Sequence, residues 1–228
     1  MMNEIHYAFS YNGTDNDYVF AMEGVNDFHS QFIDVMGMNW ARKLGWSPFH
    51  APQVIRYTIP SKFIGLPQAG VPINDKNAYA IAFTMGNLLW TPAKETGEQM
   101  PNPYVFPRYL NIYNSEPTIY FTGTYKDERG LEIQGGIVKG TTIVGEHSDR
   151  LGLQLRNPDS EPQFNVVITL EFEKIGLAGK EVTAVSDMET GEAVRYSVKD
   201  NKLTIAVDVP ALDVKAYKVT LYSCVECP

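Results

Sequence analysis

Cysteine is scarce in this chain. Its 228 residues include two, Cys224 and Cys227, separated as C-x-x-C just before the final residue. A zinc site would need a second ligand pair at similar spacing, and the sequence supplies none. A thioredoxin-like redox pair would sit between a strand and a helix start, not at a frayed terminus. These thiols are read as incidental. Clustered positive charge is lacking too: 19 Lys and Arg stand against 27 Asp and Glu, for a formal charge of −8 and a pI near 5.0. A nucleic-acid partner would need a basic face, so none is expected. No apolar run approaches the roughly 18 residues that cross a bilayer, and no membrane partner is expected. The opening Met1-Met2-Asn3-Glu4-Ile5-His6 lacks the basic-then-apolar order of an export signal, which taken literally predicts a cytoplasmic chain. The four histidines, His6, His29, His50 and His147, show no metal spacing. Phosphate-binding glycine loops, a G-x-S-x-G elbow and an H-E-x-x-H helix are all missing. No metal and no cofactor is expected.

What is present changes character near residue 130. Only Phe164, Phe172, Tyr196, Tyr217 and Tyr222 of the 27 aromatic residues lie beyond Tyr125, and all three Trp lie before it. Large rings bury much area and also offer flat platforms to ring-shaped ligands. Asp17 to Met22 is a short apolar run closed by Glu23-Gly24, which predicts a buried strand. Asp27 to Trp40 carries Phe28, Phe32, Val35 and Met36 at spacings of three and four, which predicts a helix or helical turn capped by Asn26 or Asp27. Gln53 to Ile59 predicts a second strand, stopped by Pro60. Gly65 to Asn74 carries loop signals, Ala78 to Leu89 predicts a buried helix, and Tyr104 to Tyr113 an amphipathic one. This order suits an α/β unit.

From Leu131 onward the pattern is strand and turn. Strands are predicted at Ile137–Val144, Leu151–Arg156, Asn165–Phe172, Lys202–Val207 and Ala216–Tyr222. A hairpin is predicted from Glu181–Ser186 to Ala193–Val198, and a turn at Asp200-Asn201. Six or more strands at about ten-residue spacing predict a sandwich. The expected fold class is α+β, a partial (β/α) barrel-like segment over residues 1–130 followed by an antiparallel β-sandwich over 131–228.

Glu23 ends an apolar strand, with Asp27 four residues on. At the carboxyl end of a barrel strand an acid faces the active site, and two carboxylates roughly 5 to 9 Å apart can divide acid and nucleophile roles on a glycosidic bond. The alternative is that Glu23 accepts backbone amides in the turn while Asp27 caps a helix. Trp40, Trp46 and Trp90, near Arg42, His29 and His50, either line a ligand cleft or fill the core. Arg56, between Ile55 and Tyr57, either meets a carboxylate inside a barrel, with Glu23 the natural partner, or points outward.

The stretches Val19–Asp27, Pro52–Pro60 and Tyr79–Phe83 resemble the last strands of a bacterial glycoside hydrolase barrel of the α-galactosidase-like or amylase-like kind. The tail from Gly152 to Tyr222, with Val209-Pro210 before its final strand, is similar to the β-sandwich that follows such barrels. The resemblance implies a hydrolase acting on carbohydrate through two carboxylates, with Glu23 and Asp27 as candidate catalytic groups and Trp40, Trp46, Arg56 and Trp90 as candidate sugar contacts. A full barrel takes about 250 residues, so the first strands have no counterpart here. Unpaired strand edges then favour a homo-oligomer or association with a missing barrel half. A non-catalytic carbohydrate-binding or structural protein is the other reading.

Overall fold

The computed structural model describes residues 105–223 continuously, together with residues 21–23, 35–37, 63–67, 80, 83–84, 86 and 88–90. The chain divides into two compact units, Met1–Gly70 with Asn87–Lys94, and Val71–Gly86 with Glu95–Pro228.

The first unit contains a four-stranded sheet. Its strands are β1 (Ala21–Glu23), β2 (Val35–Gly37), β3 (Phe63–Pro67) and β4 (Leu88–Trp90). All neighbours pair in parallel, and the order in space is the order in sequence. Each step between parallel strands needs a connection long enough to return the chain to the same end, and residues 24–34, 38–62 and 68–87 separate the successive strands in sequence.

Three expectations are corrected here. Val35–Gly37, placed in a helix by the spacing of its apolar neighbours, is a strand with partners on both sides. A β-branched residue at Val35 and a poor helix former at Gly37 yield to pairing when two neighbouring edges are offered. Phe63–Pro67 is likewise an inner strand, although Gly65 and Pro67 read as loop. Pro67 stands at the strand's last position. The helix expected over Ala78–Leu89 is present at Ala80, Phe83 and Thr84, but Leu88 and Leu89 belong to β4. Gly86 separates the two with φ +62, a left-handed conformation that glycine adopts without strain, and its N–H caps the Phe83 carbonyl at 2.9 Å. The predicted strand Gln53–Ile59 lies outside the described residues.

In the second unit, α1 (Val105–Ser115) buries Tyr109, Ile112 and Tyr113 at the helical spacing. Glu116, at φ −135, breaks the helix, and Pro117 occupies the first position of the short α2 (Pro117–Tyr120). A β-sandwich follows. Its five-stranded sheet has the order β10 (Lys180–Asp187), β13 (Val214–Ser223), β8 (Arg150–Arg156), β7 (Lys139–Val144), β5 (Thr124–Asp127). Its four-stranded sheet has the order β11 (Tyr196–Lys199), β12 (Lys202–Val209), β9 (Gln163–Glu171), β6 (Leu131–Gln134). Every pairing in both is antiparallel.

Alternation builds the core. Leu203, Ile205, Val207 and Val209 of β12 face Tyr217, Val219 and Leu221 of β13 and Leu151, Leu153 and Leu155 of β8 in one buried cluster. β8 is buried almost throughout because its other face, with Gly152 and Gln154, lies against Ile119 and Tyr120 of α2. The expected hairpin after β10 is present only at its root. Ser186 bridges Ala193, and the Asp187 and Val194 amides bond Glu192 and Val185. The chain then leaves for the other sheet, where Tyr196–Lys199 pairs with β12 through a turn at Asp200-Asn201. Both turn residues have positive φ, 52 and 59, as a two-residue hairpin of matching twist requires.

Candidate functional site

The carboxyl edge of the parallel sheet is where an α/β arrangement exposes strand ends to a ligand. Glu23 is the last residue of β1 and Trp90 the last of β4. In register, Glu23 stands beside Gly37, Gly37 beside Gly65, and Gly65 beside Leu88, two residues short of Trp90. Three strand spacings separate the two ends, so their Cα atoms are on the order of 15 Å apart. Of the six residues singled out by the sequence, the sheet thus brings Glu23 and Trp90 to one edge, on its two outer strands. Asp27, Trp40, Trp46 and Arg56 lie outside the described residues.

A second group of charged residues was not legible in the sequence. Arg108 of α1 binds Asp213 through Nη1 at 2.7 and 2.8 Å and Glu189 through Nε and Nη2. Its Nη2 also reaches the Val214 carbonyl at 3.1 Å. Burial works against the guanidinium charge, but the hydrogen bond to Glu189 and the fields of Asp213 and Glu189 outweigh it and raise the pKa. Nearby, Lys215 binds Asp187 at 2.7 Å. Burial there would raise the carboxyl pKa, but Lys215 and the Glu189 and Thr190 amides hold it below the ordinary value. Glu116 accepts Lys218 at 2.5 Å and Arg150 at 3.3 Å.

A buried polar chain completes this region. Thr141 of β7 donates its hydroxyl to the Thr84 carbonyl, Gln154 Nε2 donates to the Tyr120 hydroxyl at 3.2 Å, and that hydroxyl reaches Met188 Sδ at 3.3 Å. Each carboxylate here is answered by a cation, and the group joins helix to sandwich. Among the described residues no cluster of His, Cys, Asp and Glu is arranged to hold a metal ion.

No protein-family profile matches the sequence, and no curated protein matches it. Solved structures do. A noncanonic maltogenic α-amylase from Thermotoga neapolitana aligns with 97% of this chain at 14% identity and a TM-score of 0.61. A GH30 endoxylanase from Clostridium papyrosolvens aligns with 96% at 9% identity and a TM-score of 0.49. An α-fucosidase from Thermotoga maritima aligns with 96% at 12% identity and a TM-score of 0.47. These neighbours are glycoside hydrolases. The chain spans 59% of the amylase, 60% of the endoxylanase and 48% of the fucosidase. At such identities, the likeness to the amylase is one of fold.

Proposed function

We propose that this chain is part of a glycoside hydrolase, with residues 1–130 a barrel-like segment and residues 131–228 its C-terminal sandwich. The carboxyl edge of the parallel sheet is the glycoside site. Glu23 is one of its two carboxylates and Asp27 the candidate for the other, one protonating the leaving oxygen while its partner attacks the anomeric carbon or activates water. Trp40, Trp46 and Trp90 stack on sugar rings, and Arg56 pairs with Glu23. The observation that carries this reading is the position of Glu23 at the carboxyl end of a strand in a sequence-ordered parallel sheet. The amylase likeness along nearly the whole chain supports it.

Because the chain spans 59% of that amylase, the test has two arms. The protein is incubated with maltooligosaccharides and aryl glycosides, alone and mixed with a separately made first half of a homologous barrel. Product formation that falls by roughly 10²- to 10⁴-fold in Glu23→Gln supports a catalytic role. Sugar binding without turnover in either arm assigns a carbohydrate-binding protein instead. Neither product nor binding overturns the reading. Among the described residues β1 and β4 each have one unpaired edge, which favours association between copies or with the barrel half. A monomer by light scattering at micromolar concentration removes the first of these.

A further inference from the structure

A bulge in the four-stranded sheet of the sandwich re-aims one aromatic ring. Along β9, Val166, Ile168 and Leu170 point into the core, and an unbroken alternation would send Phe164 in after them. The ladder with β12 slips instead: Phe164 and Asn165 together stand opposite Asp208, and Gln163, not Phe164, pairs with the inward-facing Val209. Asn165 takes a left-handed φ of 52 and donates its N–H to Asp208 Oδ1 at 2.9 Å. Phe164 is thereby turned onto the outward face at 65% exposure, the highest of any large apolar side chain among the described residues. Its surroundings are polar and low. In register, Ala206 stands beside Val167 and Gln134 in one row, and Thr204 beside Thr169 and Glu132 in the next. The two threonine hydroxyls lie 3.4 Å apart, and Gln134 donates to Glu132 at 2.6 Å. Past Gln134 comes Gly135, where an added Cβ would meet nothing within 4 Å, so that flank is open. These rows carry carboxylates at Asp208 and Glu132 and no Lys or Arg.

We propose that this outward face binds a neutral oligosaccharide, with Phe164 as its stacking platform and Asp208, Glu132 and Gln134 as partners for its hydroxyls. Carboxylates without cations repel phosphate, nucleic acid or an acidic chain. A ring flanked by acceptors fits a ligand with C–H groups to lay on the ring and O–H groups to donate beside it. From Phe164 to Thr169 the strip is on the order of 15 Å long, the reach of a chain of sugars and not of a single one. The site lies wholly in the sandwich unit and takes its ligand class from its own side chains, so it goes beyond the reading of Glu23.

The experiment uses the full chain with its 11 phenylalanines replaced by meta-fluorophenylalanine. The fluorine resonance missing from Phe164→Ala identifies Phe164. Maltoheptaose and xylohexaose are titrated in turn, and product is followed in the same samples. The Phe164 resonance is expected to shift saturably with at least one of them. Retention of the unlabelled protein in native gels containing soluble starch or xylan then gives the affinities of the variants. Phe164→Ala is expected to weaken binding at least about tenfold, as truncation of an aromatic anchor does, while Phe164→Tyr keeps the platform and stays within about twofold of the parent. A Phe164 resonance that neither sugar moves up to its solubility limit overturns the site, whatever product is formed. So does self-association by light scattering that Phe164→Ala abolishes while the sugars leave the resonance in place, since the face is then a contact between copies. A resonance that moves in samples without product leaves this site standing and removes the hydrolase reading.

Discussion

Arg108 grips both carboxylate oxygens of Asp213, at 2.7 and 2.8 Å, across 105 residues of chain. The same planar group takes Glu189 with its other donors. One side chain of α1 thereby fixes the helix to the turn after β10 and to the start of β13. Loss of a fully buried partner costs about 3–5 kcal/mol, and with all three side chains roughly a quarter exposed Arg108→Ala is expected to cost about 1–3 kcal/mol. Arg108→Lys recovers less than half of that, because an ammonium cannot fork onto two carboxylates. Urea denaturation measures both; equal stability of the Lys variant and the parent would refute the bidentate argument.

The cations around Glu116 are predicted to be unequal. Glu116 has a side-chain exposure of 8%, while Lys218 and Arg150 stand at 33% and 37%. Removing a cation leaves the acid enclosed, so the cost depends on which contact remains. Lys218→Met removes the 2.5 Å partner and leaves Arg150 at 3.3 Å. Its expected loss is about 1–3 kcal/mol, with the apolar stem retained. Arg150→Met keeps the short contact and is expected to lose less than about 1 kcal/mol. Thermal denaturation of the two variants side by side checks the ranking, and the reverse order would count against it.

Gly123 is predicted to tolerate no side chain. It lies between α2 and β5, where an added Cβ would stand 2.2 Å from the Ile119 carbonyl oxygen and 2.8 Å from that of Val144. Both obstacles are backbone, which cannot rotate away. Gly123→Ala is expected to destabilise by about 1–3 kcal/mol or more, as overpacking does. Gly135, where an added Cβ meets nothing within 4 Å but φ is +82, supplies the contrast: Gly135→Ala is expected to cost about 1 kcal/mol through backbone strain alone. A smaller loss at Gly123 than at Gly135 in denaturant titrations would show that the helix shifts freely.

The sandwich was legible where one strand face is buried and the other wet. β12 alternates along its length, Asp200-Asn201 announces its hairpin, and α1 shows Tyr109, Ile112 and Tyr113 at helical spacing. The parallel strands were harder. β2 and β4 are three residues long, too short for any period, and β3 ends in a proline that reads as a loop. β5 and β6 are short and partly wet, with no fully buried residue to mark a face. The departure of β11 to the second sheet is decided by pairing with β12, after local contacts at Ser186 and Ala193 have formed. Glu23 stood out because an acid and a glycine follow an apolar run. The Arg108 clamp did not, since its partners are 81 and 105 positions away and no local spacing encodes them.

The buried tyrosines set the alkaline limit of the fold. Burial raises the phenol pKa of Tyr109, Tyr120 and Tyr217 above the ordinary 10.0; Asp213 adds to the effect at Tyr109 and Asp187 at Tyr217, while the hydrogen bond from Gln154 opposes it at Tyr120. Below pH 10 these phenols are neutral in both folded and unfolded chains, and their contribution to stability is complete. Above it the unfolded chain releases protons that the folded chain retains, so stability declines with each further pH increment until the folded values are passed. Among the 13 tyrosines, at least these three are expected to ionise only as the protein unfolds. Tyrosinate absorbance and far-UV dichroism should then change together in one cooperative step. Tyr217→Phe removes one of the three retained protons, so stability should fall less steeply with pH in that variant. Smooth titration of all tyrosines near pH 10 with the dichroism still native would show that the three rings are not enclosed as described.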